Sequence, residues 1–286
     1  MKKNYDLILK RYQNLYSILK ISRLNTISEI FKINNNFEKK ISYIFEIKKA
    51  IEKIENKHKI ESSFYKNKKN KNNKKLWIYI SEPIEIKTIN YNKINELLKE
   101  KIDKNKDRII VIGEIANAFA NKENLQVIFS KKNNLNSEIK FQIEQIIINL
   151  FLNKEIDEVF FILNTNRIKN WITKVIPMDE FDFQINNYNI NEQIIYKDEQ
   201  TLFPDILNIL ENLFFNYIKL VVNTLFEESI FFKYKQKLLY ETKKMNELEQ
   251  KIYSVQLAKK EEKRKELTEE IILISQYTKE ENDEKI

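Results

Sequence analysis

The chain has 286 residues, 42% of them hydrophobic and 12% aromatic, with a net charge of +8 and no cysteine. That is enough apolar material for one large domain or two small ones, and it excludes disulfides, thiolate metal sites and cysteine nucleophiles. A single glycine, Gly113, and a single histidine, His58, argue against glycine-rich phosphate cradles and leave little for a Ser-His-Asp arrangement.

Met1 to Lys20 mixes charged and apolar residues, so no signal peptide is expected there. No uncharged run of about 18 apolar residues occurs, so no membrane span is expected and the location expected is cytoplasmic. Residues 1–65 contain neither Gly nor Pro, and apolar residues recur at three- and four-residue steps. Ile8, Tyr12, Leu15 and Leu19 make one stripe, Leu24, Ile27 and Phe31 a second, and Phe37, Ile41, Ile44, Ile47, Ile51 and Ile54 a third. This spacing predicts one long amphipathic helix, with a local irregularity or a change of partner at Asn34-Asn35-Asn36 where the stripe changes phase. His58 continues the third stripe and reads as an interhelical or surface position. Residues 66–75, with six lysines among asparagines, read as a solvated linker. Met1 to Lys75 carries 20 Lys+Arg against 7 Asp+Glu, or +13, which leaves −5 for the remainder. The basic portion is suited to nucleic acid, an anionic membrane face or an acidic protein channel.

Across residues 76–203 the period changes. LWIYI (Leu76 to Ile80), RIIVI (Arg108 to Ile112), LQVIF (Leu125 to Phe129) and VFFIL (Val159 to Leu163) have the composition of buried strands. Helical stretches at about Tyr91 to Asp103, Glu114 to Asn121 and Ser137 to Asn153 separate them. The alternation predicts an α/β module with a largely parallel sheet, Gly113 ending a strand and opening a helix. A further strand at Trp171 to Ile176 is expected at the sheet edge, and a short one at Gln193 to Tyr196.

Residues 204–286 contain no Gly and, after Pro204, no Pro, which allows a helix of up to roughly 120 Å at about 1.5 Å per residue. Its first third is apolar on nearly every side. Met245, Leu248, Ile252 and Val255 then form a narrow coiled-coil seam. The seam is expected to vanish from Lys259 to Glu266 and to return as Leu267, Ile271 and Ile274. The fold class expected is therefore α/β: a Rossmann-like module with an antiparallel coiled coil made by the N- and C-terminal helices. No catalytic set is visible. A coiled-coil adaptor and a basic nucleic-acid-binding protein both remain open on these residues.

The order of motifs resembles the γ subunit of F1-type rotary ATPases. KKLWIYIS sits where that family has its first strand, DRIIVIGEIANAFA resembles its strand, glycine and helix, and EIDEVFFILNTNRIKNWITKVIPM its strand, turn and strand. YKDEQTLFPDILNILENLFFNYIKLVVNTLFEES resembles the acidic stretch and C-terminal helix. KRKELTEEIILI is similar to the terminal pattern, with Leu267, Thr268, Glu270 and Ile271 on matching positions. The family's glycine-rich loop after the first strand is replaced here by Ser81-Glu82-Pro83-Ile84-Glu85-Ile86. The resemblance implies a divergent F1-like shaft, of a kind known in AT-rich minimal bacteria where some drive motility. It implies a hexamer of nucleotide-binding α/β-type partners, with ATP, ADP and Mg bound by those partners and no cofactor on this chain. A rotor foot below the α/β module is a further implied partner, and the membrane is reached only indirectly. Leu267, Thr268, Glu270, Ile271, Ile274 and Tyr277 would form a tip seated in a bearing. Lys10, Arg11, Lys20, Arg23, Lys259, Lys260, Lys263 and Arg264 would face the hexamer cavity along the rod.

Overall fold

Five short runs of branched and aromatic residues build one sheet. Strands β1 (Lys75–Ile80), β2 (Arg108–Ile112), β3 (Gln126–Lys131) and β4 (Glu158–Leu163) run parallel, and β5 (Ile172–Ile176) pairs antiparallel with β4. Their order is β3-β2-β1-β4-β5. Helices α2 (Asn90–Lys101), α3 (Glu114–Lys122) and α4 (Ser137–Leu152) make the connections, and the two long helices are α1 (Tyr5–His58) and α5 (Ile206–Asp283). The computed structural model describes residues 4–60, 62, 74–81, 90–132, 137–181 and 205–283. Most of the expected linker, the 82–86 replacement loop and the expected strand at Gln193 to Tyr196 lie outside the described residues.

The chain forms two compact units, one of residues 30–236 and one of residues 1–29 with 237–286. In the first, side chains alternate across the sheet, as strands buried on both faces require. Leu76, Ile78, Ile80, Ile110, Ile112 and Phe161 enter a core with α1, α4 and α5. Trp77, Tyr79, Ile109, Val111 and Ile162 enter a second core with α2 and α3. Polar ties direct this packing: Tyr217 Oη donates to the Val175 carbonyl at 2.9 Å, and Lys40 Nζ on α1 meets Glu227 Oε1 on α5 at 2.5 Å.

Two expectations are corrected and a third is narrowed. β3 is not a buried strand but an exposed edge, with Val127 37% and Ile128 40% accessible. It is the last strand of the sheet, and its pairing with β2 shifts register between Ile109 and Ile110, where Ile128 is the extra residue. α1 is continuous at Asn34 to Asn36, and of the two readings of the phase change it is the change of partner that holds, since Phe37 and the residues after it join the core of residues 30–236. The helix continues because Phe37 is buried and Asn34 accepts a hydrogen bond from Arg167, at 3.3 Å. α1 ends at His58, an exposed residue, well short of Tyr65.

Three helix ends share one device. Lys59, Asn124 and Lys154, just past α1, α3 and α4, have φ of 53°, 52° and 56°. The next residue's N–H reaches back five positions in each case: Ile60 to Glu55 at 3.1 Å, Leu125 to Ala120 at 3.1 Å and Glu155 to Leu150 at 2.9 Å. Glycine usually takes the left-handed position in this termination. The only glycine of this chain lies elsewhere.

Candidate partner-binding surface

The unit of residues 1–29 and 237–286 is built from the start of α1 and the end of α5. Asp6 pairs with Lys259, Tyr16 Oη donates to Glu249 Oε1 at 2.7 Å, and Ser22 Oγ donates to Glu241 Oε1 at 2.5 Å. As α1 advances, its partners on α5 step backward, so the pairing is antiparallel. The bond to the Glu249 carboxylate also raises the Tyr16 phenol above its ordinary value. Thr26 and Glu241 are buried, and Arg23 is half-buried with its Nε out of solvent and without a hydrogen bond. A buried polar layer of this type costs stability and fixes the register of a helix pair.

The covered face of α5 runs Glu241, Met245, Leu248, Ile252, Val255, Lys259, Glu262 and Glu266, in alternating steps of four and three. It is unbroken. The apolar part of the seam ends at Val255, in line with its expected loss from Lys259, and the row continues with the charged Lys259, Glu262 and Glu266. Leu267, Ile271 and Ile274 are not its return. They fall in line with Tyr253 and Leu257 on a second row, whose members lie alternately one and two residues past those of the first and so about 100° to 200° around the helix from it. Leu267 is 57%, Ile271 65% and Ile274 64% exposed, and the exposed cations Lys260 and Arg264 occupy the two positions between Leu257 and Leu267.

Near residue 272 the helix is apolar on several sides, because Ile272 and Leu273 are exposed as well. With Asp6 opposite Lys259, this end of α5 runs past the first residue of α1. Thr268 Oγ1 donates to the Arg264 carbonyl at 2.8 Å, Glu270 and Lys263 are exposed, and the Tyr277 side chain lies outside the described residues. On α1, too, apolar and basic residues are among the exposed ones. Leu15 and Leu24, expected in buried stripes, are exposed, as are Leu7, Ile18 and Ile21; farther along α1, in the other unit, Phe31 is exposed too. Tyr16 and Thr26 take up covered positions instead. Lys10, Arg11 and Lys20 point outward, and from Leu7 to Ser28 there is no acidic residue. Fourteen of the twenty-one large exposed apolar side chains among the described residues belong to this unit. Apolar exposure on that scale is the kind of feature that interaction surfaces show.

Comparison with known proteins bears on the fold. No protein-family model matches the chain. An uncharacterized protein of Ureaplasma parvum serovar 3 is 27% identical over 294 aligned positions, which cover 97% of this chain and 95% of the relative. Among solved structures, a chain of the Euglena gracilis mitochondrial ATP synthase, in an assembly of OSCP, F1 and c-ring, is 12% identical with a TM-score of 0.51, covering 99% of this chain and 95% of that one. The fold is γ-like. A chain of the central stalk and c-ring of Tetrahymena thermophila mitochondrial ATP synthase is 15% identical with a TM-score of 0.47, over 82% of this chain and 98% of that one.

The γ-like module carries a strand-glycine-helix turn where nucleotide-binding folds place a phosphate, and here that turn is filled from within. Gly113 has φ 95°, and a Cβ on it would lie 2.2 Å from the Ser81 carbonyl oxygen and 2.4 Å from Ser81 Oγ. Ser81 Oγ accepts from the Ala116 N–H at 3.0 Å and donates to the Ile112 carbonyl at 3.1 Å. The N–H that would face an anion at the start of α3 is already satisfied by a serine hydroxyl. Among the described residues no helix is long and apolar enough to cross a membrane, and no cluster of three His, Asp or Glu side chains comes together.

Proposed function

We propose that this chain is the central shaft of a rotary ATPase-like assembly and performs no bond chemistry itself. The observation that carries the reading is the exposed apolar surface of the terminal helix pair, with no acidic residue on α1 from Leu7 to Ser28, combined with a γ-like fold. Leu267, Ile271 and Ile274, with Thr268, Glu270 and Tyr277 beside them, seat the end of α5 in an apolar sleeve of the partners. Burying the remaining exposed part of each apolar side chain contributes about 1–2 kcal/mol. Lys10, Arg11 and Lys20 face acidic partner surfaces, while Lys260, Lys263 and Arg264 meet moving neighbours without locking to any, because exposed ion pairs contribute only about 0–1 kcal/mol. Lys259 and Arg23 act inside the pair and hold its register.

ATP, ADP and Mg belong to the surrounding subunits. Their shape changes turn the shaft through contacts that differ between conformational states, and a shaft can bias those states only through such differences. The test is native purification of the full chain from its own cells. One copy recovered with a hexamer of nucleotide-binding subunits supports the reading. Recovery as a homodimer without such subunits, as a coiled-coil adaptor predicts, or with RNA and a steep salt dependence, overturns it.

A further inference from the structure

Arg167 lies in the connection between β4 and β5 and touches both long helices within the unit of residues 30–236. Its Nη1 donates to Glu228 Oε2 on α5 at 2.9 Å, and its Nη2 donates to Asn34 Oδ1 on α1 at 3.3 Å. The guanidinium carbon sits 4.3 Å from the ring centre of Phe37 on α1 and 4.8 Å from that of Phe231 on α5. Thr165, two residues earlier, accepts from the Arg167 N–H at 3.1 Å and gives its own hydroxyl to Glu228 Oε1. The Glu228 side chain is only 1% exposed. We propose that Arg167 is an orientational latch that fixes the sheet against α1 and α5.

Directionality sets this contact apart from its surroundings. The rest of the contact between sheet and helices is a broad apolar core in which Phe37, Ile41, Phe161 and Phe214 take part. Apolar burial is non-directional and resists separation more than sliding. A planar guanidinium, bonded along two edges and packed against a ring from each helix, fixes position and tilt together. A lysine has neither the fork nor the flat face. Glu228 is buried and Arg167 half-buried, so the value of the pair for stability is small and its value for a single geometry is larger, as for ion pairs that specify an arrangement. The latch does not depend on the shaft reading, since any load carried between sheet and helices would cross it.

The absence of cysteine makes the test direct. Cysteines placed at the exposed positions Gln126 on β3 and Tyr43 on α1 accept spin labels in the full chain, and the distance between them is measured in the parent, Arg167→Lys and Arg167→Met/Glu228→Met. The double replacement removes both charges and leaves no unpaired buried carboxylate, so folding is retained and helix content by circular dichroism verifies it. The expected result is one narrow distance in the parent and its loss to a broad distribution in both variants. A narrow parental distance in the folded double variant overturns the latch, as does an unchanged distribution in Arg167→Lys.

Discussion

Lys154→Gly is expected to stabilise the protein. The left-handed conformation costs a non-glycine residue roughly 1–2 kcal/mol, and Lys154 holds it at φ 56° just past α4. Glycine adopts that conformation freely but gains disorder in the unfolded chain, which returns about 0.4–1 kcal/mol of the benefit. The difference leaves a net stabilisation of about 0.5–1 kcal/mol. The Lys154 side chain is exposed, so little packing is lost with it. Lys59→Gly has the same geometry and the same expectation, whereas Asn124→Gly should change less because asparagine tolerates the left-handed region. Gly113→Ala is the opposite control: its Cβ would sit 2.2 Å from a backbone carbonyl that cannot rotate away, and a loss of at least about 1–3 kcal/mol follows. Urea unfolding followed by the fluorescence of Trp77 and Trp171 reads all four. A lower midpoint for Lys154→Gly at unchanged denaturant slope would falsify the reasoning.

Two further outcomes follow from the surface and from buried charge. Leu267→Asp, Ile271→Asp and Ile274→Asp together should weaken seating in the purified assembly by two orders of magnitude or more, since about 1–2 kcal/mol per residue is removed. Neutral replacements at Lys260, Lys263 and Arg264 should leave it nearly unchanged, and equal retention of both variant sets on the partners contradicts the bearing. Burial raises the Glu228 carboxyl above its ordinary range, with Arg167 and Thr165 opposing the shift. The folded state therefore holds this proton to a higher pH than the unfolded state does, and stability from it is present at low pH and lost as pH rises through the raised value. Relative to Glu228→Gln, the parent should lose unfolding free energy as pH climbs out of the carboxylate range; a difference that is flat or rises with pH contradicts this.

Much of the sheet was legible because its strands alternate between two covered faces, so LWIYI, RIIVI and VFFIL could be read as buried without knowing what covers them. LQVIF has the same composition, yet burial there depends on a neighbour beyond β3, and among the described residues the sheet supplies none. The end of α1 was less legible, since Lys59 does not look like a chain terminator when glycine is the expected signal, whereas the expected ends of α3 at Asn121 and α4 at Asn153 lie within one residue of Lys122 and Leu152. Arg167 was missed altogether. In sequence it is one cation in a polar turn, and only the fold brings Phe37, Asn34, Glu228 and Phe231 around it.

The two rows on α5 show why a stripe read along a sequence can be assigned to the wrong face. A shift of one residue turns a side chain about 100°, so Glu266 is partly covered while Leu267 is exposed. The charged turns and the apolar end are thus not only successive segments of one seam; they belong to two sides of one helix. On the outer side, Lys260 and Arg264 interrupt what would otherwise be an apolar heptad row from Tyr253 to Ile274. Such interruptions oppose self-pairing, because a cation facing its own copy at a core position is left desolvated and repelled. Lys260→Leu with Arg264→Leu should complete the row and convert the purified chain to a dimer or larger species at micromolar concentration, read by sedimentation velocity. If that variant sediments like its parent, the outer row is not a latent coiled-coil face and the two cations serve only solubility.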